Sequence, residues 1–298
     1  MSAPGQALPA EVTTWERIRL SLRRIRRVLP FVVVIVIFAI FAIAPGRFAP
    51  HDPVATNLEA RLQPPGYSMG GAHYLLGTDD LGRDVLSRII WGARASLSVA
   101  IGAVLVAGTL GSALGILAGY YRGILAAVIM RAADLVLSIP FFLLAILLVA
   151  VLGPSLLNLV IVLGLVRWPR YARVAFGQTL DARNRDFVKA VIALGGRARR
   201  VIVHHIVPEV LPPLVVVATL ELGLMVLYEA ALSFIGLGVQ PPAPSWGSML
   251  AEGQQYIALA WWLSTFPGLA LFLLVLSVNT MGDVVRDYLD PRQRSIRG

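Results

Sequence analysis

The residues that could carry chemistry in this sequence are few. Asp79, Asp80 and Asp84 lie close together in the chain, but their spacing matches no loop of oxygen ligands for a metal ion. Helix capping and pairing with arginine account for these carboxylates better. His204 and His205 are adjacent, so on a helix their side chains diverge by about 100° and cannot share a metal as an i, i+4 pair could. We therefore predict no metal site in this chain.

The sequence also lacks the parts of a nucleotide-hydrolysing site. A P-loop needs a lysine followed by serine or threonine after a glycine-rich turn. Lys189 is the only lysine, and Ala190 follows it. Cysteine is absent from the sequence, which excludes disulfides, thiol chemistry and zinc held by cysteine. We predict that the chain is not an enzyme and binds no cofactor of its own.

The composition is that of a membrane protein. Apolar residues make up 57% of the chain and charged residues 14%, whereas soluble domains average about 45–50% and about 25%. Several apolar runs are long enough, with their flanks, to cross a bilayer. They cover residues 29–44, 96–119, 126–152, 156–174, 210–236 and 261–278. The predicted fold is an all-α integral membrane protein with six transmembrane helices.

The distribution of basic residues predicts the orientation of the chain. The net charge is +9, and most of the 26 basic residues lie before the first span, in the central loop, in the short turn near Arg122 or in the tail. Cytoplasmic segments of membrane proteins carry such an excess. Both termini and the central loop are therefore predicted to be cytoplasmic. Because these charges flank apolar runs, they do not indicate nucleic-acid binding.

The predicted organisation has four parts. The basic N-terminal segment is expected to fix the orientation of the first span, with a cytoplasmic helix on anionic membrane lipid as the alternative. The parts are the cytoplasmic segment 1–28, the first span with its periplasmic loop at 29–74, a five-helix core at 75–285 and the cytoplasmic tail at 286–298. The core contains the central loop, which we define as residues 181–208.

Residues 75–100 are predicted to form an amphipathic helix at the membrane surface. Leu81, Val85 and Ile89 repeat at i+4, and polar residues alternate with them. Residues 78–80 are a threonine and two aspartates, which are good helix caps. The pattern therefore places the start of this helix just after them.

Two sets of residues inside the apolar runs stand out. Gly111, Gly115 and Gly119 fall at i+4 steps on one face of the second run, where they would let another helix approach closely. Glu221 and Glu229 lie in the fifth run, and an ionisable group at membrane depth usually faces the bundle interior or a water-filled path. Both glutamates are candidates for lining a pathway, with hydrogen bonding between helices as the alternative for Glu229.

The central loop is basic and water-compatible although apolar runs flank it on both sides. Its first half has apolar residues at helical spacing, and Gly195 and Gly196 end that helix. A second short helix with three arginines follows, and Pro208 precedes the return to the membrane. This helix-turn-helix has the shape of a docking element, through which a partner could supply the energy that this chain has no site to generate.

Three blocks of sequence resemble the C-type permease subunits of the dipeptide/oligopeptide/nickel family of bacterial ABC importers. They are residues 76–97 (LGTDDLGRDVLSRIIWGARASL), the central loop, and residues 232–254 together with 266–292. The resemblance extends over nearly everything after Pro45. Together the blocks are specific to this family, whereas the central loop alone would indicate only some ABC importer permease.

The central loop follows the family's coupling pattern with small departures. The family has an alanine pair, a glycine four residues on and a proline thirteen residues beyond. Here these are Ala190 with Val191, Gly195 and Pro208, so valine replaces the second alanine. Asp186 stands where glutamate is commoner, and either change is compatible with a docking helix.

The resemblance implies the type I permease fold of ABC importers and a subunit of the bacterial inner membrane. It implies a heterodimer with a B-type permease, two ATPase subunits or one fused ATPase that bind ATP and Mg²⁺, and an extracytoplasmic solute-binding protein. Peptides are the implied solute, with a nickel chelate, glutathione or haem as alternatives. The residues implied to couple to the ATPase are Asp186, Phe187, Ala190, Val191, Leu194, Gly195, Arg199 and Pro208.

Two other classes of protein remain alternatives on sequence grounds. An ion-driven secondary transporter would carry ionisable residues at the membrane midplane, inverted repeats and broken helices. The sequence shows no clear repeat. A membrane-embedded enzyme would require Asp79 and Asp80 to be catalytic.

Overall fold

The computed structural model describes residues 14–289, and most of these are helical. The α-helices are α1 (Thr14–Ile43), α2 (Pro45–Phe48), α3 (Val85–Tyr121), α4 (Gly123–Ser138), α5 (Phe141–Leu152), α6 (Leu156–Asn184), α7 (Asp186–Ala193), α8 (Ala198–Val201), α9 (Val207–Phe234), α10 (Trp246–Gln254) and α11 (Trp262–Leu289). A 3₁₀ turn (Leu58–Ala60), an antiparallel hairpin of β1 (Tyr67–Met69) and β2 (Ala72–Tyr74), and a π-helical turn (Ile202–Ile206) complete the described chain. The predictions for residues 1–13 and 290–298 lie outside the described residues.

Several helices have the length and apolar character to cross a membrane. Within residues 14–289, three stretches do so on their own: Val85–Tyr121, Ala198–Phe234 and Trp262–Leu289. The pair α4 and α5 would make a fourth, although the two helices meet at an angle of 94°. The apolar part of α1, Val28–Ile43, is shorter. The structure thus agrees with a helical, multi-pass membrane protein, while the number of six spans stays a prediction.

The span predicted over residues 126–152 is two helices rather than one. Pro140 separates α4 from α5, and Ile139 before it is extended, with φ −92° and ψ 131°. Proline lacks the N–H that a helix interior needs, and it disfavours helical backbone in the residue before it. The apolar run is continuous, so hydropathy alone did not reveal the bend.

The helix predicted over residues 75–100 starts later and runs on further than expected. α3 begins at Val85, where the carboxylate of Asp84 accepts a hydrogen bond from the backbone N–H of Ser87. The helix then continues without a break to Tyr121. The predicted surface helix and the predicted second span are therefore parts of one helix of 37 residues.

Residues 78–80 do not cap this helix, which corrects the sequence-based prediction. They belong to a loop that packs against the segment after α2. The hydroxyl of Thr78 donates to the carbonyl oxygen of Ala60, and both residues are fully buried. Gly82 has φ +72°, and a side chain there would overlap the carbonyl oxygen of Asn57. Long-range packing of the loop, rather than local capping, fixes its conformation.

Residues 237–260, between the fifth and sixth apolar runs, contain α10. Ser245 and Ser248 form a reciprocal cap, because each hydroxyl accepts a hydrogen bond from the backbone N–H of the other residue. Trp246 is fully buried, and its indole N–H donates to the carbonyl oxygen of Ile89 at 3.0 Å. Trp246 thereby fixes α10 against α3.

α3 and α6 pack closely along the face that carries the three i+4 glycines. A Cβ atom on Gly111 would lie 2.7 Å from the Cβ of Tyr171, and one on Gly115 would lie 2.7 Å from the Cβ of Ala175. A Cβ atom on Gly119 would lie 2.6 Å from the Cβ of Thr179. Real Cβ atoms do not approach so closely, so the helix axes can sit at this distance only because these residues are glycine.

Two helices extend beyond the apolar runs that predicted the spans. α6 continues to Asn184, past the predicted end of the span near residue 174. The short helix predicted after Gly196 begins at Ala198 and leads through the π-helical turn into α9. Hydropathy reports the length that hydrocarbon can cover. A helix whose polar end stands in water extends beyond that length, so its end must be located from capping and turn residues.

Candidate functional site

The central loop folds as two short helices joined by a glycine turn. α7 ends at Ala193, and α8 begins at Ala198. Gly195 between them has φ +80°, a conformation that favours glycine. Its N–H donates to the carbonyl oxygen of Ile192 at 3.0 Å, which closes the end of α7 in the manner of a C-cap. The turn therefore separates α7 from α8 within four residues, from Leu194 to Arg197.

α7 has one buried face and one exposed face. Val188 is fully buried and packs in one apolar cluster with Val201 of α8. Phe187, Ala190 and Leu194 are exposed, and the side chain of Leu194 is 89% exposed. We call these three residues the docking face. Contiguous exposed apolar residues on an otherwise polar loop indicate a protein-binding surface.

The other residues predicted for coupling surround the docking face. Three of them are exposed: Asp186, Arg199 and Pro208. Val191 of α7 is half-buried and packs against the apolar cluster that contains Val188. Gly195 contributes through its backbone conformation, because no other atom lies within 4 Å of where its Cβ would be. These positions are compatible with a contact surface that has an apolar centre and a polar rim.

Two side-chain contacts join the start of the central loop to its end. The guanidinium of Arg185, just before α7, is 2.7 Å from the carboxylate of Glu209 in the first turn of α9. The ring of Phe187 lies edge-on to the ring of His205, with their centres 6.3 Å apart. One contact therefore joins the start of the central loop to α9, and the other joins it to the π-helical turn before α9.

Glu221 lies between α9 and α6, where it accepts hydrogen bonds from two arginines. Arg167 donates from Nε to Oε2 at 2.8 Å and from Nη2 to Oε1 at 2.6 Å. Arg170 donates from Nη1 to Oε1 at 2.8 Å. The guanidinium of Arg167 also lies 5.8 Å from the ring centre of Phe141 and 5.4 Å from that of Tyr228. We call these five residues the arginine cluster.

Glu221 is a candidate from the sequence, whereas its partners are found only in the structure. Arg167, Arg170 and Arg173 lie near the end of the fourth apolar run, residues 156–174. The available signal was their i+3 spacing inside a helix that starts at Leu156, which puts all three on one side of that helix. An arginine on that side could have been matched with a carboxylate at membrane depth.

Glu229 is enclosed between α9 and α3 and has no exposed surface. The hydroxyl of Ser96 donates to Oε2 at 2.6 Å, and the hydroxyl of Ser233 donates to Oε1 at 2.6 Å. The bond from Ser96 joins α3 to α9, as expected for the alternative of hydrogen bonding between helices. Both carboxylate oxygens of Glu229 accept hydrogen bonds, and its part in a pathway stays a prediction.

A second ionic cluster joins the loop before α3 to α10. Arg83 donates from Nε to Asp79 at 2.6 Å and lies 3.1 Å from Glu252 through Nη2. Arg88 also contacts Asp79 and donates to Glu252 at 2.8 Å and 3.1 Å. Oxygens of Asp79, Asp80 and Glu252 lie within 4.8 Å of one another, a separation that a cation could bridge. The two arginines already supply the positive charge that these carboxylates require.

We expect removal of the Asp80 charge to stabilise the protein at neutral pH. Partial burial, reinforced by the charges of Asp79 and Glu252, raises the pKa of the Asp80 carboxyl above its ordinary value. A raised pKa means that the charged form costs stability above that pKa, and the cost disappears as pH falls toward about 4, the ordinary value of aspartate. Asp80→Asn should therefore raise the Tm in detergent at pH 7.5, by a margin that shrinks toward pH 4. A Tm difference that is constant with pH would contradict this assignment.

These features define a class of protein: an integral membrane permease with the fold of an ABC importer subunit. A solved inward-facing structure of the MetNI methionine ABC transporter matches the fold with a TM-score of 0.56 and 22% identity. The match covers 69% of this chain and 97% of that chain.

The chain belongs to the family described as binding-protein-dependent transport system inner membrane component, which matches residues 111–295. It is 43% identical over 266 residues to the di/tripeptide transport system permease protein DppC of Pseudomonas aeruginosa. It is 44% identical over 265 residues to the dipeptide transport system permease protein DppC of Escherichia coli. Each alignment covers 89% of this chain and 87% of the relative. The resemblance seen in the sequence is thereby confirmed, as is a multi-pass protein of the inner membrane.

Proposed function

We propose that this chain is one of two membrane subunits of an importer that moves dipeptides or oligopeptides into the cytoplasm, driven by ATP hydrolysis in partner subunits. The observation that carries the proposal is its identity of 43–44%, along 89% of its length, to permeases of di- and tripeptide transport systems. The exposed docking face supports it, because this chain has a contact surface but no nucleotide site of its own.

The proposed topology has six spans, with both termini and the central loop in the cytoplasm. The spans are α1, α3, the bent pair α4 and α5, α6, the helix that ends in α9, and α11. Short loops on the cytoplasmic side are expected to hold the excess of arginine and lysine, and the basic residues of this chain favour that orientation. The alternation of the helices then puts α10 and the ionic cluster around Arg88 on the outer side.

In this proposal the docking face of α7 packs into a groove of an ATPase subunit. Two ATPase subunits, or one fused ATPase, bind ATP and Mg²⁺, and a homologous B-type permease completes the pathway. A solute-binding protein outside the membrane delivers the peptide. Closure of the ATPases moves α7 as a rigid body. The contact Phe187–His205 passes that movement to the π-helical turn, and the contact Arg185–Glu209 passes it to α9. The spans then switch between two states.

A charge in the docking face should uncouple the subunit from its ATPase without unfolding it. Leu194 is 89% exposed, so Leu194→Asp removes no internal packing from this chain. Buried apolar residues at the centre of an interface typically carry the binding energy, and we expect ATP-driven uptake to fall about tenfold or more. Uptake into proteoliposomes and co-purification of the ATPase measure the two effects. Leu194→Met keeps the apolar surface and is the matched control; native uptake by Leu194→Asp would contradict the docking face.

The function itself is tested by reconstituting the assembled complex with its binding protein in liposomes. The proposal is supported if uptake of a labelled dipeptide requires ATP on the side of the membrane where the ATPase subunits lie. That uptake should also persist when ion gradients are collapsed. Uptake that an ionophore abolishes supports an ion-driven transporter instead. Competition by a nickel chelate, glutathione or haem, with no competition by peptides, would keep the importer class and replace the solute.

A further inference from the structure

The arginine cluster lies in the cytoplasmic half of the proposed membrane-spanning part of the chain. Arg170 is about 21 Å along α6 from its first residue, Leu156, at 1.5 Å per residue. Glu221 is about 20 Å along α9 from its last residue, Phe234, by the same measure. Since the hydrocarbon core of a bilayer is about 30 Å thick, both helices place the cluster about 20 Å from the outer side and about 10 Å from the cytoplasmic side, within the proposed spans.

Charged side chains near this depth are exposed in the isolated subunit. The side chain of Arg170 is 56% exposed. Arg173 on α6 and Asp134 on α4 form an ion pair of 2.5 Å, and their side chains are 53% and 49% exposed. Such groups are too costly to face lipid tails, so they face protein or a water-filled cavity. This side of α6 therefore belongs to the interior of the assembled permease.

The arginine cluster carries one more positive than negative charge. Glu221 forms a two-point contact with Arg167, which is largely buried, while Arg170 shares only Oε1. A guanidinium has five N–H donors, and the contact of Arg170 with Glu221 uses Nη1. The remaining donors and the excess charge suit an anion that approaches from the exposed side. By contrast, Arg173 and Asp134 neutralise each other.

Aromatic rings stand next to these donors. Phe141 stacks on Tyr228 with ring centres 3.9 Å apart, and Phe142 lies edge-on to Tyr228 at 5.7 Å. Phe142 is 44% exposed, so the aromatic surface continues to the outside of the subunit. The bend at Pro140 begins α5 at this point and brings these rings beside Arg167. An apolar surface beside a cationic donor fits a ligand with a carboxylate and a small side chain.

We propose that Arg170 binds the carboxylate of the transported solute, in a subsite formed by Arg167, Glu221 and the neighbouring aromatic rings. The inference rests on the proposed function, because peptides end in a carboxylate. Arg170 already has a partner in Glu221, so it does not require a permanent carboxylate from another subunit. A solute carboxylate that competes with Glu221 for Arg170 would be held only briefly, and a transport site must release what it binds.

The test measures direct binding of a dipeptide to the complete complex of both permeases and the ATPases, without the solute-binding protein. The probes are alanyl-alanine and its C-terminal amide, which differ only in the carboxylate. We expect Arg170→Gln to raise the Kd for alanyl-alanine by about 10- to 100-fold, the range for losing a charged hydrogen bond. The Kd for the amide should be the same in both complexes. Arg170→Gln leaves the two-point contact of Arg167 with Glu221 in place, so folding is preserved.

Arg122→Gln is the matched control, since Arg122 is an exposed arginine at the end of α3 whose partner is Asn184. It should bind both probes as the native complex does. Native binding of alanyl-alanine by Arg170→Gln, or a native complex that does not distinguish the two probes, would overturn the subsite. So would loss of the B-type permease from the purified Arg170→Gln complex, which would make Arg170 an interface residue. A native complex that imports no dipeptide even with its binding protein would instead overturn the proposed function.

Discussion

Glu221→Gln is expected to lower the free energy of unfolding of the subunit by about 3–5 kcal/mol, the cost of breaking a buried ion pair by removing one partner. Glu221 is 2% exposed, and Arg167 loses both of its charged hydrogen bonds when the carboxylate becomes an amide. The guanidinium is then left inside the helix bundle with an amide that can accept fewer bonds. We expect less folded protein in the membrane and a lower Tm in detergent.

The double variant Arg167→Met with Glu221→Leu distinguishes the cost of an unpaired buried charge from the cost of altered packing. Replacing both members of a buried ion pair by apolar residues of similar volume is often neutral or stabilising. The double variant should therefore regain most of the stability that Glu221→Gln loses. Thermal unfolding followed by size-exclusion chromatography measures all three proteins. If the double variant is as unstable as Glu221→Gln, the loss comes from packing around Glu221 rather than from the uncompensated charge.

Gly115→Ala is expected to destabilise the pair of α3 and α6 by about 1–3 kcal/mol, the usual cost of overpacking a core. The added Cβ would overlap the carbonyl oxygen of Ala172 and lie 2.7 Å from the Cβ of Ala175. Backbone cannot move aside as a flexible side chain can, so the two helices must separate. The same measurement of Tm applies, together with the amount of protein that survives extraction.

Gly108→Ala and Gly177→Ala are controls on the same two helices. A Cβ on Gly108 would lie 3.5 Å from the ring of Tyr171, an ordinary contact, and one on Gly177 would have no atom within 4 Å. Alanine is the better helix former by about 0.5–1 kcal/mol, so neither control should lose stability. Equal losses at Gly108 and Gly115 would show that the small-residue face does not set the distance between the helices.

The parts of the fold that sequence could predict are those with local causes. Long apolar runs predicted most of the membrane helices, and the glycine pair at residue 195 predicted the turn between α7 and α8. The predicted start of α3 was wrong. Thr78 and the two aspartates after it are residue types that often cap helices, but here their side chains bind other partners. Local propensity could not show that Thr78 bonds Ala60 or that Asp79 pairs with Arg88.

The candidate sites divide in the same way. Apolar residues at helical spacing in a polar loop predict the helix α7, and the family resemblance implies which of its residues form the docking face. The arginine cluster depends on contacts between α6 and α9, whose residues lie about 50 positions apart in the chain. Nothing in either helix alone shows that Glu221 faces Arg167. Ionisable residues at membrane depth on two different helices are therefore best interpreted together, as possible pairs.

The helix that leads out of the central loop is longer than the membrane is thick. Residues Ala198–Phe234 form a continuous helical stretch of 37 residues, interrupted in hydrogen-bond pattern only by the π-helical turn at Ile202–Ile206. At 1.5 Å per residue its length is about 55 Å, so a tilt of about 10° at one end displaces the other by about 10 Å. The π-helical turn lies at the end of this stretch that follows α7 and α8. In the proposed mechanism, a tilt started at that end would therefore be carried across the whole bilayer by one helix.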